Sequence, residues 1–287
     1  MRIFVAKITV LLILIWSSLA LAADGDKFVF LSSTIGPVDS GIVGVLEDQF
    51  EKETGIRVRH IGAGTGAALN IATKCNIDLV QAHAKSLEEK FIADGYGIER
   101  IPLMYNDFVI VGPVADPAGI KGTKTAAEAL KKIKDKGSLF ISRGDKSGTH
   151  VAEMELWAKA AIKPEGAWYS VYEKGAEGNA ATLKYTDEKA AYTVIDRATY
   201  LSLKDQIKLG ILVENDEALL NFISLIQVNP AKCPKVNATD TKAFIAWLTS
   251  PSKGQLIIRD FGKDKYGSPL FFPNSLEWQK ANKKSRI

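Results

Sequence analysis

The sequence predicts an α/β protein of two lobes, each a mainly parallel sheet flanked by helices, joined by two crossover strands. Three observations carry this. Short apolar strands alternate with helix-spaced segments along the chain. Two apolar runs, Asp107 to Val111 and Phe222 to Val228, bracket the middle third. Three strand-to-helix turns combine glycine with Ser or Thr, and such turns are where open α/β sheets take ligands.

In order, residues 1–22 read as a secretory signal. Arg2 and Lys7 form its basic end, Ile8 to Ile15 an apolar stretch too short to span a bilayer, and Ala20-Leu21-Ala22 a cleavage region. Cleavage near Ala22 or Ala23, with no cysteine there for a lipid anchor, expects a soluble periplasmic protein. Lys27 to Leu31 is a strand that runs into a polar turn, Ser32 to Gly41. A helix face at Ile42, Val45, Leu46 and Phe50 ends at Gly55, and Ile56 to Ile61 alternates as a strand. Gly62 to Gly66 is a second turn, opening a small-residue helix, Ala67 to Ala72. After the strand Ile77 to Val80, Ser86 and Glu89 read as a capping box. Ile101 to Met104 and Asp107 to Val111 are strands, the second halted by Gly112-Pro113, and the first crossing falls here.

Residues 24–111 thus open lobe one, and 112–221 form lobe two. Thr125 and Glu128 cap a helix carrying Leu130 and Ile133. Leu139 to Ile141 is a strand leading into the third turn, Ser142 to His150, and a helix follows to Ala161. Trp168, Tyr169 and Tyr172 suit packing, and Gly175 to Gly178 begins another helix through Leu183. Ala191 to Ile195 is a buried strand with Asp196-Arg197 at its end. Phe222 to Val228 crosses back, so residues 222–287, with helix faces at Phe244, Ile245 and Leu248, complete lobe one.

Charge narrows the partners. The chain carries +4, and losing Arg2 and Lys7 with the leader reduces this to +2, too balanced for a nucleic-acid partner. Cys75 and Cys233 fall in one lobe and form one bridge on this reading, two buried thiols being the alternative. The third turn, I-S-R-G-D-K-S-G-T-H, places backbone amides and a helix start beside the Arg143 guanidinium and the hydroxyls of Ser142, Ser147 and Thr149. Donors dominate, so the natural guest is an anion.

These residues carry a family resemblance. Ser33-Thr34 with Asp39-Ser40-Gly41, Thr54 to Ile56, Gly64 to Gly66, Met104 to Pro113 with Asp116 to Ile120, Ser142 to His150, Ala191 to Tyr200 and Val228 to Lys232 resemble the tungstate-binding proteins of bacterial ABC importers. The likeness covers nearly all of the mature chain. It implies a two-lobed periplasmic binding protein, type II-like, that closes on a tetrahedral oxyanion, tungstate or molybdate, and delivers it to a membrane permease. It implies contacts from Thr34, Thr65, Arg143, Ser147 and Thr149, with Ser33 a weaker member. Ile35 and Gly36 depart from the hydroxyl-richer first turn of relatives, so backbone amides replace side chains there. A monomer without resident cofactor or metal cation is expected, the oxyanion being cargo.

Two rival readings define the tests. A phosphate binder of the same fold needs an acceptor for the phosphate proton, and Asp39, Asp145 and Asp196 lie near the turns. Capping suits Asp39, a turn or Arg143 contact Asp145, and an Arg197 pair Asp196. A hydrolase would use Ser147, His150 and Asp145, residues too close in sequence to assemble a triad, so no enzyme is expected. His60, His83 and His150 lie on separate segments and form no metal cluster, and G-A-G-T-G lacks the Lys of a nucleotide loop.

Overall fold

A computed structural model describes residues 28–283, so the leader and its cleavage point lie outside the described residues. The chain opens with β1 (Phe28–Thr34), a short α1 (Ile35–Asp39), α2 (Ile42–Thr54), β2 (Arg57–Ala63), α3 (Thr65–Ala72), β3 (Leu79–Ala82) and α4 (Lys85–Ala93). After β4 (Ile101–Pro113) come α5 (Ala126–Asp135), β5 (Phe140–Ser142), α6 (Gly148–Lys159), β6 (Tyr169–Val171) and α7 (Asn179–Glu188). Next are β7 (Thr193–Asp196), α8 (Arg197–Leu203), β8 (Leu209–Val213) and β9 (Leu220–Gln227). The chain ends with α9 (Ala238–Thr249), α10 (Gly254–Asp260), α11 (Lys263–Tyr266), β10 (Phe272–Pro273) and α12 (Leu276–Lys283).

In lobe one, β2, β1 and β3 pair in parallel, with Thr34 opposite Ala63 and Ser33 opposite Gln81. Alternation along β1 sends Val29 and Leu31 into a core with Leu46 and Phe50 of α2. Phe244, Trp247 and Leu248 of α9, and Phe271 near the end, close that core from the C-terminal segment. Lobe two centres on Leu130, Ile133, Phe140, Trp157, Tyr192 and Leu212. There β5 and β6 run parallel, and a bridge from Phe140 to Tyr192 ties them to β7.

The two lobes share β4. Its first half, to Asp107, pairs with β9, and its second half, from Phe108, pairs with β7 and β8. One connecting strand runs out and the other runs back, so β4 and β9 pair antiparallel beside the parallel strands. The sequence suggests two strands here, Ile101 to Met104 and Asp107 to Val111, separated near the polar Asn106 and Asp107. The fold makes one strand of 13 residues, since both polar side chains find partners across the sheet. Asn221 Nδ2 donates to Asn106 Oδ1 at 2.7 Å, and Arg197 Nε donates to both Asp107 oxygens at 2.8 and 3.0 Å.

Two local expectations change. α4 begins at Lys85 behind Ala84, so Ser86 is already helical and caps nothing. Thr125 does cap α5, accepting the Glu128 amide at 3.1 Å, while the Glu128 carboxylate reaches the Lys124 amide instead of its own cap residue.

Cys75 and Cys233 form a disulfide across 158 residues of sequence, joining the end of α3 to the segment after β9. Closing a loop of that length restricts the unfolded chain by as much as about 5 kcal/mol in the chain-entropy account. We predict that Cys233→Ser lowers the unfolding free energy read from urea curves by up to that order and that reductant does the same to wild type; curves unmoved by either change would contradict a stabilising bridge.

Candidate functional site

The first two turns lie side by side because β1 and β2 are parallel neighbours. Thr34 ends β1 with extended backbone at the start of α1, yet its hydroxyl caps no amide. Thr65 is the first residue of α3, after Gly64. The Oγ1 atoms of both threonines are buried without a hydrogen-bond partner. Leaving a buried hydroxyl unpaired costs about 1–3 kcal/mol, so the positions are poised for a guest. Ser33 is fully buried, and its hydroxyl reaches the Thr34 carbonyl at 3.3 Å.

The third turn, in lobe two, is built around Arg143. Nε donates to the Gly175 carbonyl at 3.1 Å, Nη1 donates to Asn179 Oδ1, and Nη2 pairs with Asp145 Oδ2 at 2.9 Å. These take three of the five guanidinium N–H groups and leave two. Ser147 caps α6 by accepting the His150 amide at 3.4 Å, which keeps its own proton free, and Thr149 is buried in the first turn of that helix. Ser142 is withdrawn from the opening, its hydroxyl donating to Glu153 at 2.8 Å.

The lobes meet beside this turn. His83, just past β3, lies so near Gly148 that an added Cβ would come within 3.2 Å of its ring. Burial pushes the His83 imidazole below its usual pKa, with Glu88, Asn221 and Glu155 opposing. The three turns therefore sit at one end of the sheets, across a single boundary. Three neighbours carry no motif: His83, Asn179, and Gln81, whose buried Nε2 lacks a partner beside Ser33. For Asn179 a signal did exist, because Gly175 to Gly178 repeats the glycine turn before a helix.

The carboxylates differ from expectation in two cases. Asp39 is exposed at the end of α1 and caps no helix. Arg197 pairs with Asp107 and Glu214 and not with Asp196, because Asp196 caps α8, accepting the Thr199 amide at 2.8 Å and hydroxyl at 2.6 Å. Asp145 behaves as expected, holding Arg143 and accepting the Ser147 amide at 3.1 Å. The His150 ring turns back to accept the Lys146 amide at 2.9 Å, so Ser147, His150 and Asp145 form no triad.

Known proteins resemble this chain over most of its length. A family model described as a PBP superfamily domain matches residues 22–252. The tungstate-binding protein TupA of Peptoclostridium acidaminophilum is 43% identical over 86% of this chain and 86% of its own length. A putative ABC transporter anion-binding protein of Haloferax volcanii is 42% identical over 89% of this chain and 75% of its own. The solved tungstate-binding protein TupA from Desulfovibrio alaskensis matches with a TM-score of 0.81 at 40% identity, covering 87% of this chain and 99% of that one.

Beneath the third turn, Glu153 is buried among donors: Ser142, Trp157 at 3.1 Å, Tyr169 at 2.8 Å and the Arg143 amide. Burial nevertheless raises its pKa from 4.5 to about 7. A folded value above the unfolded one gives stability that is complete below about pH 4.5 and lost as pH rises through 7. Relative to wild type, Glu153→Gln is expected to gain about 3 kcal/mol between those limits. Urea unfolding across that range checks this, and a constant gap between the two proteins would refute it.

Proposed function

Given that the chain belongs to the PBP superfamily and, within it, to the TupA-like family of tungstate-binding proteins, we propose that it captures a tetrahedral oxyanion between its lobes in the periplasm. Tungstate is the first choice and molybdate the second, and the protein hands the anion to the permease of an ABC importer. The observation that carries this reading is a site with donors to spare. Thr34 and Thr65 hold unpaired buried hydroxyls, Arg143 keeps two N–H groups, and Asp145 and Asp196 already accept bonds of their own.

Tungstate and molybdate are fully deprotonated near neutral pH, so every oxygen accepts. Phosphate keeps a proton there and would need a carboxylate to accept it, whereas Asp145 and Asp196 are engaged by Arg143, Asn179 and helix-start amides and Asp39 is exposed at the end of α1. In the proposed complex Thr34 and Thr65 bind from lobe one, and Arg143, Ser147 and Thr149 bind from lobe two. Ser33 supports from behind, since its hydroxyl already serves the Thr34 carbonyl. The two bodies, one ending at Asp107 where β4 leaves β9 and the other taking up Phe108 to Val111 with β7 and β8, move about β4 and β9. Only the closed form makes both sets of bonds, so the anion shifts the population toward closure. The protein acts as a monomeric carrier without catalytic groups, resident cofactor or nucleic-acid partner.

The deciding experiment is a thermal-melt titration of the mature chain with tungstate, molybdate, sulfate and phosphate. A large rise with tungstate, a smaller one with molybdate and none with the other two is expected, and a rise with phosphate alone would overturn the assignment. Arg143→Ala is predicted to weaken tungstate binding by about 3 kcal/mol, the worth of hydrogen bonds to a charged group, as read by calorimetry. Arg143→Lys keeps the charge but not the fork, and should fall between.

A further inference from the structure

Asn179, the first residue of α7, uses both ends of its amide. Its Oδ1 accepts from Arg143 Nη1, and its Nδ2 donates to Asp196 Oδ2 at 2.6 Å. Asp196 also receives the Thr199 amide and hydroxyl, so its carboxylate is surrounded by donors and fixes which end of the Asn179 amide faces the arginine. The corner it occupies lies at the lobe crossing. Asp196 stands opposite Phe108 of β4, its neighbour Arg197 grips Asp107, and Ala198 and Leu201 of α8 pack on the lobe-one core. A line of hydrogen bonds therefore runs from the Arg143 guanidinium to the point where lobe two touches the crossover strand.

We propose that Asn179 is a positioning residue of the anion site, holding the Arg143 guanidinium against the Asp196 corner so that its two remaining N–H groups are aimed at the guest. The inference deepens the oxyanion reading and rests on it. An amide is the side chain that suits the place. Aspartate has no donor for Asp196 and would set a second negative charge beside it, facing a dianion. Leucine has the shape and neither polar end. Without the amide the guanidinium keeps Gly175 and Asp145 but can swing about them, and each bound anion must then order it again.

The test uses the mature, disulfide-intact chain with sodium tungstate as probe. Asn179→Leu and Asn179→Ala are expected to weaken binding about tenfold or more, the loss of a hydrogen bond to a charged group, with affinity read at a temperature where each variant is fully folded. Asn179→Asp is expected to bind more weakly than Asn179→Ala, because it sets a second negative charge beside Asp196 and facing the dianion. Loss of packing alone would not rank the aspartate variant below the alanine one. A second measurement needs no ligand: in 15N-arginine-labelled protein the Arg143 Nη rotation should be slow in wild type and fast in Asn179→Leu. Wild-type affinity in Asn179→Leu, or unchanged Arg143 signals, would overturn the proposal. A wild type that ignores tungstate would strike the oxyanion reading, and the NMR comparison would still decide the positioning.

Discussion

The proposed anion site depends on keeping one guanidinium still. A free arginine side chain samples many rotamers, and ordering it on binding would subtract from affinity. Here Gly175, Asn179 and Asp145, from two separate segments, take its N–H groups before any guest arrives. The segments come close because Gly175 has no side chain: a Cβ there would lie 1.8 Å from the Arg143 carbonyl oxygen. The backbone of one turn is packed against the backbone of the other, and that contact sets where the charge stands. Thr34 and Thr65 play the opposite part, since their hydroxyls are left unpaired.

The lobes are connected as closely as the site is held. Because β4 belongs to both sheets without a break, motion between the lobes has to be a twist of paired strands and not the bending of a loop. Asn106 pairs with Asn221 across β4 and β9, and Arg197 fastens α8 to Asp107 at the residue where β4 changes partners. His83 against Gly148 marks one place where the two lobes touch.

Much of this was legible in the chain. Each of the three turns announces itself as an apolar strand, then glycine with a hydroxyl, then helical spacing, because that is the local chemistry of a strand end that opens onto a helix start. The crossing strands were visible as apolar runs with a Gly-Pro or Asn-Pro stop. What was hidden is what depends on distance. Arg197 adjoins Asp196 in sequence, but its partner is Asp107, 90 residues away, because a side chain at a helix start points away from its own cap. Tyr105-Asn106 separates two strands in the sequence reading, and only the fold shows Asn106 satisfied by Asn221 within a single strand. Asn179 shows no motif because its meaning lies in two partners that only the fold supplies. Ser142 sits in the motif yet faces inward, since alternation along β5 turns it toward Glu153.

The disulfide bears on how firmly Thr65 is carried. It fastens the far end of α3, the helix whose first residue is Thr65, to the segment that follows the returning strand. The helix is therefore held at both ends, by the sheet at its start and by the bridge at its finish. Reduction would free the second hold, so redox conditions reach the Thr65 hydroxyl through the helix that bears it, without any change in the hydroxyl itself.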